Sequence, residues 1–160
     1  MIKVIRHKDI DQITLDEIVH IKKLSWEYSK QEHLNWITEN LNGNDYHFLL
    51  INNNEIIAYL NLVNVNVIYK NTSIPFIGIG NVCSKYKGVG LGKEIISEVN
   101  KFIKANYLYG ILFCKHQLID FYSKSNWLMI ENIHVSKNVY TMVYNFNLDP
   151  TSLKYNDRLF

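Results

Sequence analysis

The chain has 160 residues, of which 48% are hydrophobic and 20% charged, as is ordinary for one globular domain. A formal net charge of +2 shows neither the basic surface of a nucleic-acid-binding protein nor an acidic tail. The longest apolar runs fall far short of the ~20 residues of a membrane span, no signal peptide is visible, and two cysteines build neither a disulfide framework nor a metal cluster. We therefore expect a cytoplasmic protein with one domain over residues 1–150 and a tail over residues 151–160, which binds no metal, nucleic acid or membrane.

The N-terminal part of the chain predicts a strand, two helices and a hairpin. A capping box of Thr14 and Glu17 is predicted to start the first helix, which runs to about Tyr28. Gly43 is predicted to end the second helix. The elements are a strand over residues 2–6, a helix over 14–28, a second helix through 34–41, and hairpin strands over 46–51 and 55–68.

A central segment combines a strand, a loop and a helix. Residues 74–82 form an apolar run that predicts a buried strand, and Gly78 and Gly80 inside it indicate a bulge or the close approach of another group. A polar loop follows, and its glycines are Gly88, Gly90 and Gly92. Apolar residues then recur at helical spacing over about four turns; they are Leu91, Ile95, Ile96, Val99, Phe102 and Ile103.

The C-terminal part predicts a buried strand, a short helix and two closing strands. They cover residues 109–114, 117–125, 127–131 and 139–148. The last strand alternates cleanly, with Tyr140, Met142 and Tyr144 on one face. The order of elements predicts an α+β fold, with a mixed sheet and helices on both of its faces.

The strand, glycine-rich loop and helix are the arrangement by which a chain presents free main-chain N–H groups to a phosphate. The first turn of a helix has N–H donors without internal partners, its dipole favours negative charge, and glycine allows an anion to come close. Lys85, Lys87 and Lys93 add positive charge around this loop. The segment therefore predicts a site for a phosphate-bearing cofactor, and its alternative is a glycine-rich turn without a ligand.

Spacing separates three kinds of nucleotide-binding loop. A P-loop requires a glycine five residues before its Gly-Lys pair and a Ser or Thr after it, but these positions hold Lys87 and Glu94. A dinucleotide fingerprint that begins at Gly88 requires a small residue where Lys93 stands. The third pattern, Arg/Gln-x-x-Gly-x-Gly/Ala, fits residues 87–92 with lysine in the first place. This segment resembles the acetyl-CoA loop of the GCN5-related N-acetyltransferase (GNAT) family.

The resemblance extends to nearly the whole order of elements. It implies the GNAT fold, a single mixed and mostly antiparallel sheet that is splayed in the middle, with acetyl-CoA as co-substrate. It places the pantetheine arm in the splay and the main-chain N–H of Val82 on the thioester carbonyl, where this donor would stabilise the oxyanion of a tetrahedral intermediate. The cofactor-binding residues implied in this way are Val82, Cys83, Ser84, Lys87, Gly88, Val89, Gly90, Leu91, Gly92 and Lys93.

A second motif lies in residues 114–127 and resembles the second GNAT signature, which has a Phe-Tyr pair on a short helix. Asn126 takes the family's glycine position, and asparagine is the residue other than glycine that best tolerates a positive φ. The Cys-Lys pair before the helix and Trp127 after it resemble the branch that contains the aminoglycoside 2′-N-acetyltransferases. Tyr122 matches the family's general acid, which would protonate the leaving thiolate.

The base that would deprotonate an acceptor amine is not identified. Some GNAT enzymes use a Glu on the strand before the loop, but residues 74–82 contain no Asp, Glu or His. A base elsewhere, a base acting through water, or an acceptor that needs none are the alternatives. The titratable candidates, each of which also fits a surface or structural role, are His47, Glu131, His134 and His116. Cys83 has no histidine at a readable spacing and fits a small buried hydrophobe.

Acceptor specificity is expected from the first two helices and from the loop between the last two strands. Trp26, Tyr28 and Trp36 either line an aromatic pocket or belong to the core. We predict an N-acetyltransferase that moves an acetyl group from acetyl-CoA to a primary amine of a small molecule, by direct attack in a ternary complex. A non-catalytic acyl-CoA-binding or sensor module on the same fold, and a protein or peptide N-acetyltransferase, are the alternatives; a homodimer is also left open.

Overall fold

The computed structural model describes all residues from Met1 to Phe160. It contains eight β-strands and four α-helices. In chain order they are β1 (Ile2–Arg6), α1 (Gln12–Lys23), α2 (Lys30–Asn40), β2 (Tyr46–Asn52), β3 (Glu55–Tyr69), β4 (Thr72–Ser84), α3 (Leu91–Ala105), β5 (Gly110–Lys115), α4 (Ile119–Ser123), β6 (Leu128–Ile130), β7 (Val139–Tyr144) and β8 (Leu153–Lys154). None of the helices combines the length and the apolarity that crossing a bilayer requires.

The strands form one sheet in the order β1-β2-β3-β4-β5-β7-β6, and β8 pairs with β3. All described pairings except that of β4 with β5 are antiparallel. The parallel ladder of β4 and β5 has three pairs, from Ile77 with Gly110 to Ile79 with Leu112. Since β4 continues to Ser84, five residues of this strand follow the last pair, Gly80–Ser84. The prediction of a mixed and mostly antiparallel α+β sheet is confirmed.

The helical segments at the N-terminus begin and end at other residues than predicted. Asp11 caps α1 by accepting hydrogen bonds from the main-chain N–H of Thr14 (2.8 Å) and from its hydroxyl (2.9 Å), so the predicted capping box of Thr14 and Glu17 is wrong. The helix also ends at Lys23 rather than near Tyr28. The capping box lies on α2 instead, where the Ser29 and Glu32 side chains each bond the other residue's main-chain N–H.

Three C-terminal predictions also require correction. The strand predicted over residues 139–148 ends at Tyr144, because Asn145 has φ = +61° and leaves the extended conformation. The predicted helix over residues 117–125 is a 3₁₀ turn followed by the five-residue α4. The residues predicted as a tail contain β8, in which Leu153 is 1% exposed and pairs with Tyr69 of β3.

The chain divides into two compact units. Unit 1 comprises residues 1–63, 80–98 and 160, and unit 2 comprises residues 64–79 and 99–159. The core of unit 1 includes Ile18, Ile21, Phe48, Leu60, Ile95 and Ile96. The core of unit 2 includes Phe76, Val99, Ile103, Ile111, Trp127 and Met142. The apolar face predicted for α3 is therefore buried, except that Phe102 is half-buried. A fully buried side chain of this size contributes about 1.5–3 kcal/mol.

Candidate functional site

The glycine-rich loop of unit 1 connects β4 to α3 and is exposed from Tyr86 to Gly90. Gly88 has φ = +76° and Gly90 has φ = +87°, a region in which residues with a side chain are strained. A Cβ atom built on either glycine would meet nothing within 4 Å. The glycines are therefore required by backbone conformation, and the space above them is open.

The loop leads into the N-terminus of α3. The main-chain N–H of Glu94 donates to the carbonyl of Gly90 (3.0 Å), which is the first bond of the helical ladder. The N–H groups of Leu91, Gly92 and Lys93 precede this bond, as the first donors of any helix do. Three donors and the positive end of the helix dipole thus lie beside the open glycines, an arrangement that favours a bound anion.

The three lysines predicted around the loop differ in their contacts. Lys85 forms an ion pair with Glu55, so its charge is compensated within the protein. Lys87 donates a hydrogen bond to the hydroxyl of Ser25 (2.7 Å), and Lys93 is exposed at the first turn of α3. Lys87 and Lys93 are therefore the cations available to the loop.

The hydrogen-bonding side of the main chain changes between Ile77 of β4 and Lys85, the residue that follows this strand. The N–H of Ile77 donates to Tyr109 on the β5 side (2.8 Å), whereas the N–H of Lys85 donates to Ile57 on the β3 side (2.9 Å). Residues an even number of positions apart point to the same side of a regular strand. The change therefore requires an irregularity between them, and Asn81 with φ = +53° supplies it. Asparagine tolerates a positive φ, but its place within an apolar strand predicts an extended conformation.

Gly80 confirms the prediction of a close approach within this strand. A Cβ atom on Gly80 would lie 3.0 Å from Nδ2 of Asn61 and 3.2 Å from the main-chain carbon of Phe160. After it, Val82 is half-buried, whereas Cys83 and Ser84 are buried. Burial raises the pKa of the Cys83 thiol to about 12, so this thiol stays protonated and unreactive at neutral pH.

The second motif lies in unit 2, where Tyr122 is on α4 and is 6% exposed. Its ring contacts the ring of Phe121 edge-on at 4.9 Å between centroids. Burial raises the pKa of its hydroxyl well above the usual value, so the phenol is protonated at neutral pH. Asn126 has φ = +64°, which confirms the conformation predicted from the glycine position it occupies, and Trp127 donates to Oδ1 of Asn100 (3.0 Å).

The three aromatic residues predicted for the acceptor lie around one cavity of unit 1, with a volume of about 460 Å³. The cavity is lined by Lys22, Trp26, Tyr28, Glu32, His33, Trp36, Asn81 and Phe160. Sequence reasoning missed the other five of these residues. The capping-box pattern of residues 29–32 marks Glu32, but Lys22 stands at a position of α1 that reads as core, and only the folded chain brings Asn81 and Phe160 to it.

Lys22 and His33 are the buried titratable residues on the walls of this cavity. Lys22 is 1% exposed, its Nζ lies 4.3 Å from the ring centroid of Trp36, and burial lowers its pKa to about 8. His33 is buried, and its Nε2 lies 3.4 Å from the carbonyl oxygen of Trp26. Burial and then the charge of Lys22 lower the pKa of His33, so its imidazole is neutral at pH 7.

The residues considered as bases are in other surroundings. His47 is fully buried, with Nε2 3.0 Å from Nδ1 of His7 and Nδ1 3.1 Å from the hydroxyl of Tyr59, and burial lowers its pKa to about 3. The other three candidate bases are exposed residues of unit 2; they are His116, Glu131 and His134. No group of three or more His, Cys, Asp or Glu side chains is arranged to hold a metal ion.

No protein-family model matches the chain, and no curated protein matches its sequence. Solved structures do match its fold. An aminoglycoside 6′-N-acetyltransferase from Enterococcus faecium has a TM-score of 0.67 and 10% identity over 90% of this chain and 96% of its own. A PaiA N-acetyltransferase from Thermoplasma acidophilum, in complex with coenzyme A, has a TM-score of 0.60 and 16% identity over 91% of this chain and 99% of its own.

A GCN5-related N-acetyltransferase from Anabaena variabilis has a TM-score of 0.64 and 14% identity, and the match covers 81% of this chain and 32% of that chain. At such identities the likeness concerns the fold. The features of this chain that accompany the likeness are its strand order, the short ladder between β4 and β5 and the glycine-rich turn into α3. Because these structures match most of the chain, its fold is that of the GCN5-related N-acetyltransferases.

Proposed function

We propose that this protein transfers an acetyl group from acetyl-CoA to a primary amine of a small molecule. The observation that carries the proposal is the loop of unit 1, where open glycines at positive φ adjoin the first N–H donors of α3. Such donors suit a pyrophosphate, because they point out of the helix and its dipole favours negative charge. We assign the pyrophosphate of acetyl-CoA to residues 88–93 and to the cations Lys87 and Lys93.

The irregularity of β4 supports a role for the main chain of Val82. Val82 is an odd number of residues from Lys85, whose N–H points to β3, so its own N–H is expected on the opposite edge of β4. The three-pair ladder with β5 ends before this residue. We assign this N–H, with the neighbouring Cys83 and Ser84, to the thioester end of acetyl-CoA, where one donor to an oxyanion contributes about 3–4 kcal/mol.

The reaction needs an acid and a nucleophile. In direct attack the amine nitrogen forms a bond to the acetyl carbonyl carbon, the C–S bond breaks, the nitrogen loses a proton to water, and the thiolate takes a proton. We assign that proton to the hydroxyl of Tyr122, which its raised pKa keeps protonated at neutral pH. The amine is assigned to the cavity of Trp26, Tyr28 and Trp36.

A second candidate function is a non-catalytic acyl-CoA-binding or sensor module. One observation favours it: the strand β4 contains no Asp, Glu or His that could accept a proton from the amine. Such a module would bind acetyl-CoA through the same loop and release no CoA in the presence of amines.

The test is a thiol-release assay with acetyl-CoA and a panel of amines, aminoglycosides and peptides, together with calorimetry of CoA binding. We expect CoA to bind and to be released only with some small amines. Binding without release for any amine would support the sensor module, and release only with peptides would support a protein acetyltransferase. If CoA does not bind, the loop is not a CoA site, and both the acetyltransferase and the sensor module are refuted.

A further inference from the structure

The cavity next to α1 contains a buried histidine to which the proposed reaction gives no role. His33 of α2 is 3% exposed and lines this cavity. Its ring meets the ring of Tyr28 edge-on at 5.6 Å between centroids, and its Nε2 lies 3.4 Å from the carbonyl oxygen of Trp26. These two contacts hold the imidazole in one orientation.

The contact with Trp26 decides which ring nitrogen of His33 carries the proton. A carbonyl oxygen only accepts hydrogen bonds, so Nε2 is the donor and Nδ1 of the neutral ring carries a lone pair. Nδ1 has no hydrogen-bond partner within the protein. The only fully buried side-chain nitrogen or oxygen without a partner is Nδ2 of Asn61, so Nδ1 of His33 is reached by solvent. This lone pair therefore faces the cavity that the side chain lines.

The charges around His33 keep its imidazole neutral. Burial and then the charge of Lys22 lower its pKa from 6.5, and the charge of Lys23 also lowers it. The hydrogen bond to Trp26 and the charge of Glu32 act in the opposite direction, but the pKa remains below its ordinary value. At pH 7 the ring is therefore unprotonated at Nδ1 and able to accept a proton.

The two other side chains of the cavity that carry a charge at pH 7 are less suited to this task. Lys22 has a pKa of about 8 because of its burial, so at pH 7 it is mostly an ammonium and has no lone pair to offer. Hydrogen bonds from Ser29 lower the pKa of the Glu32 carboxylate, which makes this carboxylate a weak base. The imidazole of His33 is thus the base whose pKa lies nearest to neutral pH from below.

The cavity adjoins the part of β4 that is assigned to the thioester. Asn81 lines the cavity together with His33, and Val82, whose N–H is assigned to the thioester carbonyl, follows Asn81 directly. All three residues belong to unit 1. Under the proposed function, an amine in this cavity of about 460 Å³ has both the imidazole and the carbonyl among its neighbours.

We propose that Nδ1 of His33 is the general base of the reaction, which takes a proton from the acceptor amine in this cavity. This inference rests on the proposed function and supplies the base that β4 lacks. The acceptor arrives as an ammonium, and Nδ1 takes one proton so that the nitrogen lone pair can attack the carbonyl carbon. The imidazolium passes this proton to water. The nitrogen loses its second proton after the nitrogen–carbon bond has formed, and the thiolate takes one from Tyr122.

The kinetic experiment compares the native protein with His33→Gln between pH 5 and pH 9. Glutamine keeps an N–H that can donate to the carbonyl of Trp26 but has no basic nitrogen. The acceptor is 2-phenylethylamine or, if the protein does not acetylate it, the panel amine with the highest turnover, at saturating acetyl-CoA. We expect kcat/KM to fall about 10²- to 10⁴-fold at pH 7. His20→Gln is the matched control, because His20 is an exposed residue of α1 that does not line this cavity.

The pH profile distinguishes a base from a residue that only supports the cavity. For the native protein, kcat/KM should be level above the pKa of His33 and fall below it. For His33→Gln it should rise about tenfold per pH unit up to the pKa of the amine, because only the neutral fraction of the amine then reacts. A loss of activity that is the same at every pH would show a structural role and overturn the inference.

Nuclear magnetic resonance of the native protein with ¹⁵N-labelled histidine tests the inference without a variant that has to fold. With CoA bound, the ring of His33 should be neutral at pH 7 with its proton on Nε2, and its pKa should equal the pKa at which kcat/KM of the native protein falls. A proton on Nδ1, a ring that is charged at pH 7, or a different kinetic pKa would overturn the inference.

Turnover separates this inference from the proposed function. Acetylation of an amine that is unaffected by His33→Gln would leave the acetyltransferase standing and overturn the role of His33. If the native protein acetylates no amine, the acetyltransferase is refuted and the base with it, whichever nitrogen of His33 carries the proton.

Discussion

Nδ2 of Asn81 donates a hydrogen bond of 2.7 Å to Oδ1 of Asn61, and this pair joins β4 to β3 where β4 has its positive φ. Asn61 is fully buried, and its own Nδ2 has no hydrogen-bond partner. The amide of Asn61 lies against Gly80, where a Cβ atom would come within 3.0 Å of Nδ2. The three residues therefore hold the irregular part of the strand from which the N–H of Val82 is proposed to act.

Replacing Asn81 separates the two contributions of this residue. Asn81→Gly tolerates φ = +53° but leaves the buried Oδ1 of Asn61 without its donor, which costs about 1–3 kcal/mol. Asn81→Ala has the same loss and adds about 1–2 kcal/mol for a side chain in the left-handed region. Urea denaturation should rank the native protein above the glycine variant and the glycine variant above the alanine variant. Equal stability of the two variants would show that the backbone of this strand relaxes.

Gly90→Asp should abolish the binding of CoA while the fold is retained. The substituted side chain has room, since nothing lies within 4 Å of a Cβ atom at Gly90, but it introduces a negative charge where the phosphates are assigned. The conformation at φ = +87° adds about 1–2 kcal/mol of strain. Calorimetry with CoA measures the effect, and Gly43→Ala is the control, because Gly43 has no positive φ and a Cβ there meets Lys8 at an ordinary 3.4 Å. Normal CoA affinity of Gly90→Asp would count against the loop as the cofactor site.

Tyr122→Phe should lower kcat about 10²- to 10⁴-fold and leave the affinity for acetyl-CoA nearly unchanged. The phenyl ring keeps the packing against Phe121, and only the hydroxyl that would protonate the thiolate is lost. Steady-state kinetics and calorimetry together distinguish the acid from a packing role. Tyr107→Phe is the control, because Tyr107 is 93% exposed in the same unit. Unaltered turnover of Tyr122→Phe would remove the assignment of the acid.

Stability should fall in mild acid because of His47. Burial lowers the pKa of this imidazole from about 6.5 in the unfolded chain to about 3 in the folded one. Between these values the unfolded chain binds a proton that the folded chain does not. The free energy of unfolding is therefore highest above pH 6.5 and decreases as the pH falls towards 3, by up to about 1.4 kcal/mol per pH unit.

Urea denaturation between pH 7 and pH 4 checks this expectation. The free energy of unfolding of the native protein should fall more steeply than that of His47→Gln, which cannot take up the proton. His20→Gln is the control, because His20 is an exposed residue of α1. Parallel slopes for the native protein and His47→Gln would exclude His47 as the source of the acid sensitivity.

Features that depend on neighbouring residues could be predicted from the sequence. The apolar face of α3, the turn between β2 and β3, the buried strand β4 and the positive φ of Asn126 are confirmed, because helical and strand periodicity and residue conformational preference act over a few positions. The predicted N-terminal cap of α1 is wrong for a related reason. Asp11 and Thr14 are both good caps, and the choice between them depends on which one reaches a free N–H.

The sequence by itself determined the order of strands and helices and the glycine-rich turn into α3, because these follow from local spacing and backbone preference. Only the tertiary structure decided that β8 pairs with β3. It also decided that Lys22 of α1 faces the ring of Trp36 of α2 and that Asn81 of β4 lines the same cavity. The physical reason is that the approach of Lys22, Trp36 and Asn81 around one cavity depends on packing between segments far apart in the chain. No local pattern encodes such an approach.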